Sequence, residues 1–249
     1  MSDHSSGTSV RDVEIVEITS RVLGARCLLV AAGEVAVVVD AGAGVAAEAL
    51  SVADRQGLRI VAVLATHGHA DHTWDAGILT SRLGVPLLIH AADAYRLDDP
   101  FGTLGVLGQA PPGGEAALAQ VLRQAGIDPA GYVRPERVVV FGEAIGADGR
   151  SPDELLDLDG LTLVARHAPG HTEGSTIYLL DGPGPVALTG DVLFAGTIGR
   201  TDLPGGDDLV MARTLREVVE HLPRDARVLP GHGPATLLAK ELVHNPFLG

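Results

Sequence analysis

Hydrophobic and polar positions alternate from Val13 to Ile18 (VEIVEI), and two apolar runs follow, Cys27 to Ala32 and Val35 to Val39, parted by Gly33-Glu34. Period-two alternation and short apolar runs bounded by turn residues predict three strands. The spacing then changes: Val45, Ala46, Ala49, Leu50 and Ala53 share a helical face, and Gly57 supplies a stop. Ile60 to Ala65 predicts a strand, Trp74, Ile78, Leu79 and Leu83 a helix, and Pro86 to Ile89 another strand. The order β-β-β-α-β-α-β predicts an α/β fold.

The stretch from Asp98 to Asp157 breaks that rhythm. DDPFGTLGVLGQAPPGG gives way to a helix carrying Leu118, Val121, Leu122 and Ala125, which reads as an insertion at about 98–157. Ser151-Pro-Asp-Glu154 has the form of a capping box, yet LLDLDGLTLVA alternates and turns at Asp159-Gly160, which favours a hairpin. Strand-like segments return at Leu161 to Ala165, Ser175 to Leu180, Pro185 to Leu188 and Arg227 to Leu229. Between the last two, Asp207-Asp208 open a helix with Val210, Leu215, Val218, Val219 and Leu222, which Pro223 stops; a terminal helix is predicted from Ala235. No linker-like stretch divides the 249 residues, so a single domain, 1–249, is expected.

Candidate chemistry concentrates after the run ending at Ala65. The segment THGHADHTWD places His67, His69, Asp71 and His72 within one turn, and imidazole and carboxylate are ligands that zinc and related divalent ions prefer. In an extended segment residues two apart share a face, so His67 and His69 can converge on one ion while Asp71 and His72 turn to a second. Three further segments pair an apolar strand with a glycine-containing turn and a ligand-type residue: HAPGHTEGS with His171, ALTGDVLF with Asp191 and VLPGHGP with His232. Each alone is weak; together they can line one edge of the sheets.

The ordered set T-H-G-H-A-D-H, P-G-H-T, T-G-D and P-G-H-G resembles the metallo-β-lactamase fold superfamily of metal-dependent hydrolases. The resemblance implies a four-layer αβ/βα sandwich with the site at one edge of two facing sheets. It implies that His67, His69 and His171 hold a first metal and Asp71, His72 and His232 a second, with Asp191 bridging them. The ions implied are divalent, zinc first, with iron or manganese as alternatives. LFAGTIGRTDLPGGD and the ending PGHGPAT…NPFL are most similar to glyoxalase II (hydroxyacylglutathione hydrolase) enzymes, which points to hydrolysis of a small S-acyl thioester. Only 17 residues follow His232, so the C-terminal helical region of full-length glyoxalase II is expected to be absent. G-R-T-D also occurs in persulfide dioxygenases, which use a single iron; lactone and β-lactam hydrolysis share the metal chemistry. In the thioester case two ions bring a shared water towards neutral pKa as the nucleophile, with Asp71 and Asp191 as the catalytic carboxylates, and a thiolate leaves.

Other residues carry lesser expectations. Asp40, ending VAVVVD, either caps a turn or, as the resemblance implies, orients the histidine loop. Asp40-Ala-Gly-Ala-Gly44 lacks the lysine of a phosphate loop and reads as a turn. Arg200 and Asp202 are expected to pair with neighbouring loops and steady the segment of Asp191. The insertion is expected to shape the substrate pocket, with Phe101 and Leu104, beside Val106 and Leu107, covering an acyl chain. Arg123, Arg134 and Arg137 are its candidates for a carboxylate on the thiol carrier. His90 and His167 fit no ligand position and are expected to pack; His4, His221 and His244 are expected in solvent, and Cys27 as a small buried hydrophobe.

A formal charge of −14 disfavours a nucleic-acid surface, and no apolar run nears the roughly 20 residues that span a membrane. The single cysteine forms no intrachain disulfide, and MSDHSSGTSVRD lacks the apolar core of a signal peptide, so the cytoplasm is the expected compartment.

Overall fold

The computed structural model describes residues 13–180 and 184–249; the amino-terminal stretch with His4 lies outside the described residues. The first sheet contains β1 (Val13–Thr19), β2 (Arg26–Ala32), β3 (Val35–Val39), β4 (Arg59–Leu64), β5 (Leu87–His90) and β6 (Val138–Phe141), in that spatial order. The second contains β7 (Glu154–Leu158), β8 (Leu161–His167), β9 (Thr176–Leu180), β10 (Val186–Gly190), β13 (Arg227–Pro230) and β14 (Thr236–Leu237). A small hairpin, β11 (Leu193–Phe194) with β12 (Thr197–Ile198), stands apart. The helices are α1 (Ala46–Gln56), the single turn α2 (Ala70–Thr73), α3 (Ala76–Leu83), α4 (Ala117–Gln124), α5 (Asp208–Glu217) and α6 (Leu238–His244).

The layering follows from strands apolar on both faces. In β2, Cys27, Leu29 and Ala31 pack with Ala49, Val52 and Leu79 of α1 and α3, while Leu28 and Val30 face Leu161, Leu163 and Tyr178 of the second sheet. On the far side, Ile177, Ala187 and Val228 meet Met211 and Leu215 of α5 and Leu238 of α6. Helices therefore cover the outer face of each sheet and the sheets meet in the middle, the four-layer αβ/βα sandwich expected. α1 ends in left-handed Gly57 (φ 65°), a conformation glycine adopts without Cβ strain, and the Asp75 carboxylate accepts the Ala46 amide at its start.

Several boundaries differ from the sequence reading. Val138–Phe141 pairs in parallel with β5 and Glu154–Leu158 forms an edge of the second sheet, so the carboxy-terminal part of the expected insertion at 98–157 contributes strands to the sandwich, and the excursion between sheet strands runs from 91 to 137. The hairpin at Asp159-Gly160 forms as expected, with both residues at positive φ. The terminal helix starts at Leu238, because Thr236 and Leu237 first pair with β13. The excursion has a core of its own, in which Leu118 and Leu122 of α4 pack with Trp74, Val22 and Leu104.

Candidate metal centre

All seven ligand-type residues meet at one end of the sandwich. Thr66 to His72 leave β4 and wind into α2; His171 lies between β8 and β9, Asp191 follows β10, and His232 follows β13. His69 Nδ1 is 3.1 Å from His67 Nε2 and 2.9 Å from His171 Nε2. In a second group, His72 Nε2 is 3.2 Å from His232 Nε2, and Asp71 Oδ2 is 3.3 Å from that same His232 nitrogen. Asp191 sits between the groups, Oδ1 3.5 Å from His72 and Oδ2 3.6 Å from His171 and 3.5 Å from His232.

Proton accounting decides what these nitrogens face. The Thr66 hydroxyl donates to Asp40, so its oxygen, 3.1 Å from His67 Nδ1, accepts the proton there and leaves a lone pair on Nε2. His171 Nδ1 donates to the Arg200 carbonyl at 2.6 Å, freeing its Nε2 likewise. Two lone pairs then point at His69 Nδ1, and one proton there satisfies only one of them. Burial, with the neighbouring imidazoles His72 and His69, holds His67 well below the ordinary histidine range; burial, with His171, does the same to His69. Extra protons are therefore disfavoured where three nitrogens crowd together, and a metal ion is the group that fits.

The second group has the opposite polarity. His72 Nδ1 donates to Asp40 at 2.9 Å and His232 Nδ1 to the Leu23 carbonyl at 3.1 Å, so as neutral rings their Nε2 lone pairs would oppose each other. A proton on one ring or a metal ion between them relieves that. Burial works against charge on His72, but Asp191, Asp71 and Asp40 outweigh it and push the ring up to about 10. Asp71 is held well below the usual carboxylate range despite its burial, because His72 and His232 lie against it. Asp191 Oδ1 is buried and has no hydrogen-bond partner, an orphan acceptor that a divalent ion suits. Gly231 permits the approach: a Cβ there would lie 2.2 Å from that oxygen.

Surrounding residues orient the ligands. Asp40 does more than turn the chain: Oδ1 accepts the Thr66 amide and Oδ2 the Thr66 hydroxyl, both at 2.7 Å, besides His72. Asp93 and Arg96, both buried, were not expected. Asp93 Oδ2 accepts the Gly68 amide and the Thr172 hydroxyl, each at 2.7 Å, and Oδ1 accepts the Gly174 amide at 2.9 Å, tying the turns of His67, His69 and His171 together. Arg96 pairs with Asp93, bonds Glu173, and donates to the carbonyls of Thr103 and Pro204. No local periodicity announces such a pair; the one sequence cue is an acid and a base three residues apart just after β5.

Three expectations are corrected. Arg200 and Asp202 are exposed and bind each other through two hydrogen bonds, because the loop sets them side by side; what orients His171 is the Arg200 backbone carbonyl. Phe101 packs edge-on against Trp74 and does not line the pocket, whereas Leu104 does. Arg123, Arg134 and Arg137 point elsewhere, to Glu115, Asp98 and the Gly84 carbonyl. His90 and His167 stack with centroids 3.9 Å apart, and Cys27 is buried, its thiol pushed upward chiefly by burial. A cavity of about 570 Å³ opens over His69, Asp71, His171, Asp191 and His232.

The family pattern described as "Metallo-beta-lactamase superfamily" matches residues 21–232. The chain belongs to that superfamily. An uncharacterized protein of Mycobacterium leprae is 37% identical over 217 residues, 87% of this chain and 89% of its own. The hydroxyacylglutathione hydrolase GloC of Haemophilus influenzae is 29% identical over 95% of this chain and 98% of its own. Among solved structures, TTHA1623 in a di-iron-bound form superposes with a TM-score of 0.70 at 28% identity, covering 94% of this chain and 100% of its own. Among the described residues of this metallo-beta-lactamase superfamily member, no helix is long and apolar enough to cross a membrane.

Proposed function

We propose that this metal-dependent hydrolase binds two divalent ions and cleaves small S-acyl thioesters in the cytoplasm, where a lone buried Cys27 is at home. The observation that carries the two-ion reading is the pair of imidazole clusters whose free lone pairs converge on either side of Asp191. His67, His69 and His171 would hold one ion, Asp71, His72 and His232 the other, and Asp191 both. The relative named hydroxyacylglutathione hydrolase and the relative solved with two irons support the substrate and the stoichiometry. Zinc suits the imidazole-rich donor set, and iron remains a chemical alternative.

When bound, such ions lower the pKa of water and polarise a carbonyl. The chain supplies the rest. Asp40 and the Leu23 and Arg200 carbonyls fix three imidazoles in the tautomer that offers Nε2 to the site. Asp71 lines the cavity as an ionised carboxylate and can accept a hydrogen bond from the attacking water and so orient it. The leaving thiol, with an ordinary pKa of about 8.5, departs as a thiolate without a dedicated acid.

The test is a substrate panel on protein of measured metal content: acyl thioesters, a lactone, a β-lactam, and a persulfide with oxygen uptake followed. Thioester hydrolysis proportional to the second metal equivalent is expected. Oxygen consumption by a one-iron form, or turnover confined to the lactone or β-lactam, overturns the reading.

A further inference from the structure

Above the ligand-type floor, the cavity has two walls of a single character. One comes from the 91–137 excursion, with Leu104, Leu107, Leu118 and Val121; the other is the β11–β12 hairpin, with Phe194 and Ile198. Its polar lining beyond the floor is Thr197 and Arg200, and the Arg200 guanidinium turns its Nε and Nη2 donors to Asp202.

Both walls are preformed. Leu118 and Leu104 belong to the packed cluster around Trp74, and Arg96 fastens the excursion through the Thr103 carbonyl. The hairpin is held from α6 and the residue after it: Asn245 Nδ2 donates to the carbonyls of Phe194 and Thr197, and Glu241 accepts the Gly196 amide. A volume of about 570 Å³ lies within the range of small-molecule sites, so an acyl chain can extend between the walls while its carbonyl rests at the floor.

Resting on the thioester reading above, we propose that this cavity selects an apolar acyl group of medium length, and that selection works by burial of methylenes between the two walls. A methylene moved from water to an apolar wall is worth about fourfold in kcat/KM, and a hydroxyl placed there without a partner costs about tenfold. The sign is opposite to that of a site built for a hydroxyacyl group, which would set hydrogen-bonding side chains where Leu107 and Val121 stand.

N-acetylcysteamine thioesters from acetyl to hexanoyl, with 6-hydroxyhexanoyl, test this on fully metallated protein. kcat/KM is expected to rise about two- to fourfold per methylene and to fall about tenfold on adding the terminal hydroxyl. In L107N/V121N, at two partly exposed positions, the slope should drop below about twofold per methylene while elemental analysis still finds the wild-type metal content. Hydrolysis at equal rates across the series, or a slope unchanged in the double variant, overturns the acyl-selection proposal and leaves the reaction class standing. Failure to hydrolyse any thioester removes the reaction class itself, and this inference with it.

Discussion

The Asp40 carboxylate lies 2.9 Å from His72 Nδ1 while its own backbone stands at φ 57°. Aspartate tolerates that left-handed conformation better than most residues, and the turn after β3 delivers its side chain to Thr66 and His72 of the histidine loop. Asp40→Asn keeps the shape and removes the charge. Affinity for the more weakly held metal should fall about 10- to 100-fold, measured by competition with a chromophoric chelator. Wild-type affinity in that variant would show that the contact does not tune the site.

Metal stoichiometry follows from Asp191. Elemental analysis of zinc-loaded protein should give two equivalents per chain, and Asp191→Ala should weaken both sites, since its carboxylate lies against both clusters. One equivalent persisting at excess zinc would remove the binuclear assignment.

Asp93 predicts a stability effect and a metal effect together. Asp93→Ala strips the partners from the Gly68 and Gly174 amides and leaves buried Arg96 without its buried carboxylate partner, with only the half-exposed Glu173 remaining. Breaking a buried pair from one side costs about 3–5 kcal/mol, read here by urea unfolding. Asp93→Asn retains acceptor capacity and should lose less, with an altered visible spectrum of the cobalt-substituted protein if the three imidazoles shift. A spectrum and stability like wild type in both variants would refute the positioning role.

Acid should destabilise the fold through His90. Burial, then His167 beside it, lowers this ring to about 3, against an ordinary 6.5. The unfolded chain takes up a proton below about 6.5 that the folded chain refuses until about 3, so its contribution is complete above that range and is lost as pH falls through it. The slope is about 1.4 kcal/mol per pH unit for one such group. Urea unfolding of wild type and His90→Gln between pH 4 and 7 should therefore converge as pH falls; parallel curves would exclude His90 as the titrating group.

The candidate ligand set is legible because it is local. His67, His69, Asp71 and His72 share one motif, and the other three candidates each follow an apolar strand with a glycine turn, so short-range pattern brings the cluster into view. Strands buried on both faces were equally plain as apolar runs. What escaped depends on distance: Asp93 lies 81 positions before Gly174, whose amide it holds, and nothing in the surrounding sequence marks that pairing. β6 is hidden for another reason, since Val138–Phe141 is a four-residue apolar run inside a stretch whose glycines and prolines read as an insertion. Arg200 and Asp202 misled because a family motif marks a position, while in this chain the main-chain oxygen of that position makes the contact.

The fastening of the β11–β12 hairpin by Asn245 bears on how such an enzyme changes its diet. Asn245 lies 48 positions from the Thr197 carbonyl it holds, and the opposing wall comes from yet another part of the chain, while the reacting end stays on the sheet termini. Gene duplicates can therefore drift in what they accept without passing through an inactive ancestor. Laboratory evolution towards bulkier acyl groups should return substitutions at Glu241 and Asn245, positions that a search restricted to the reacting centre would never sample.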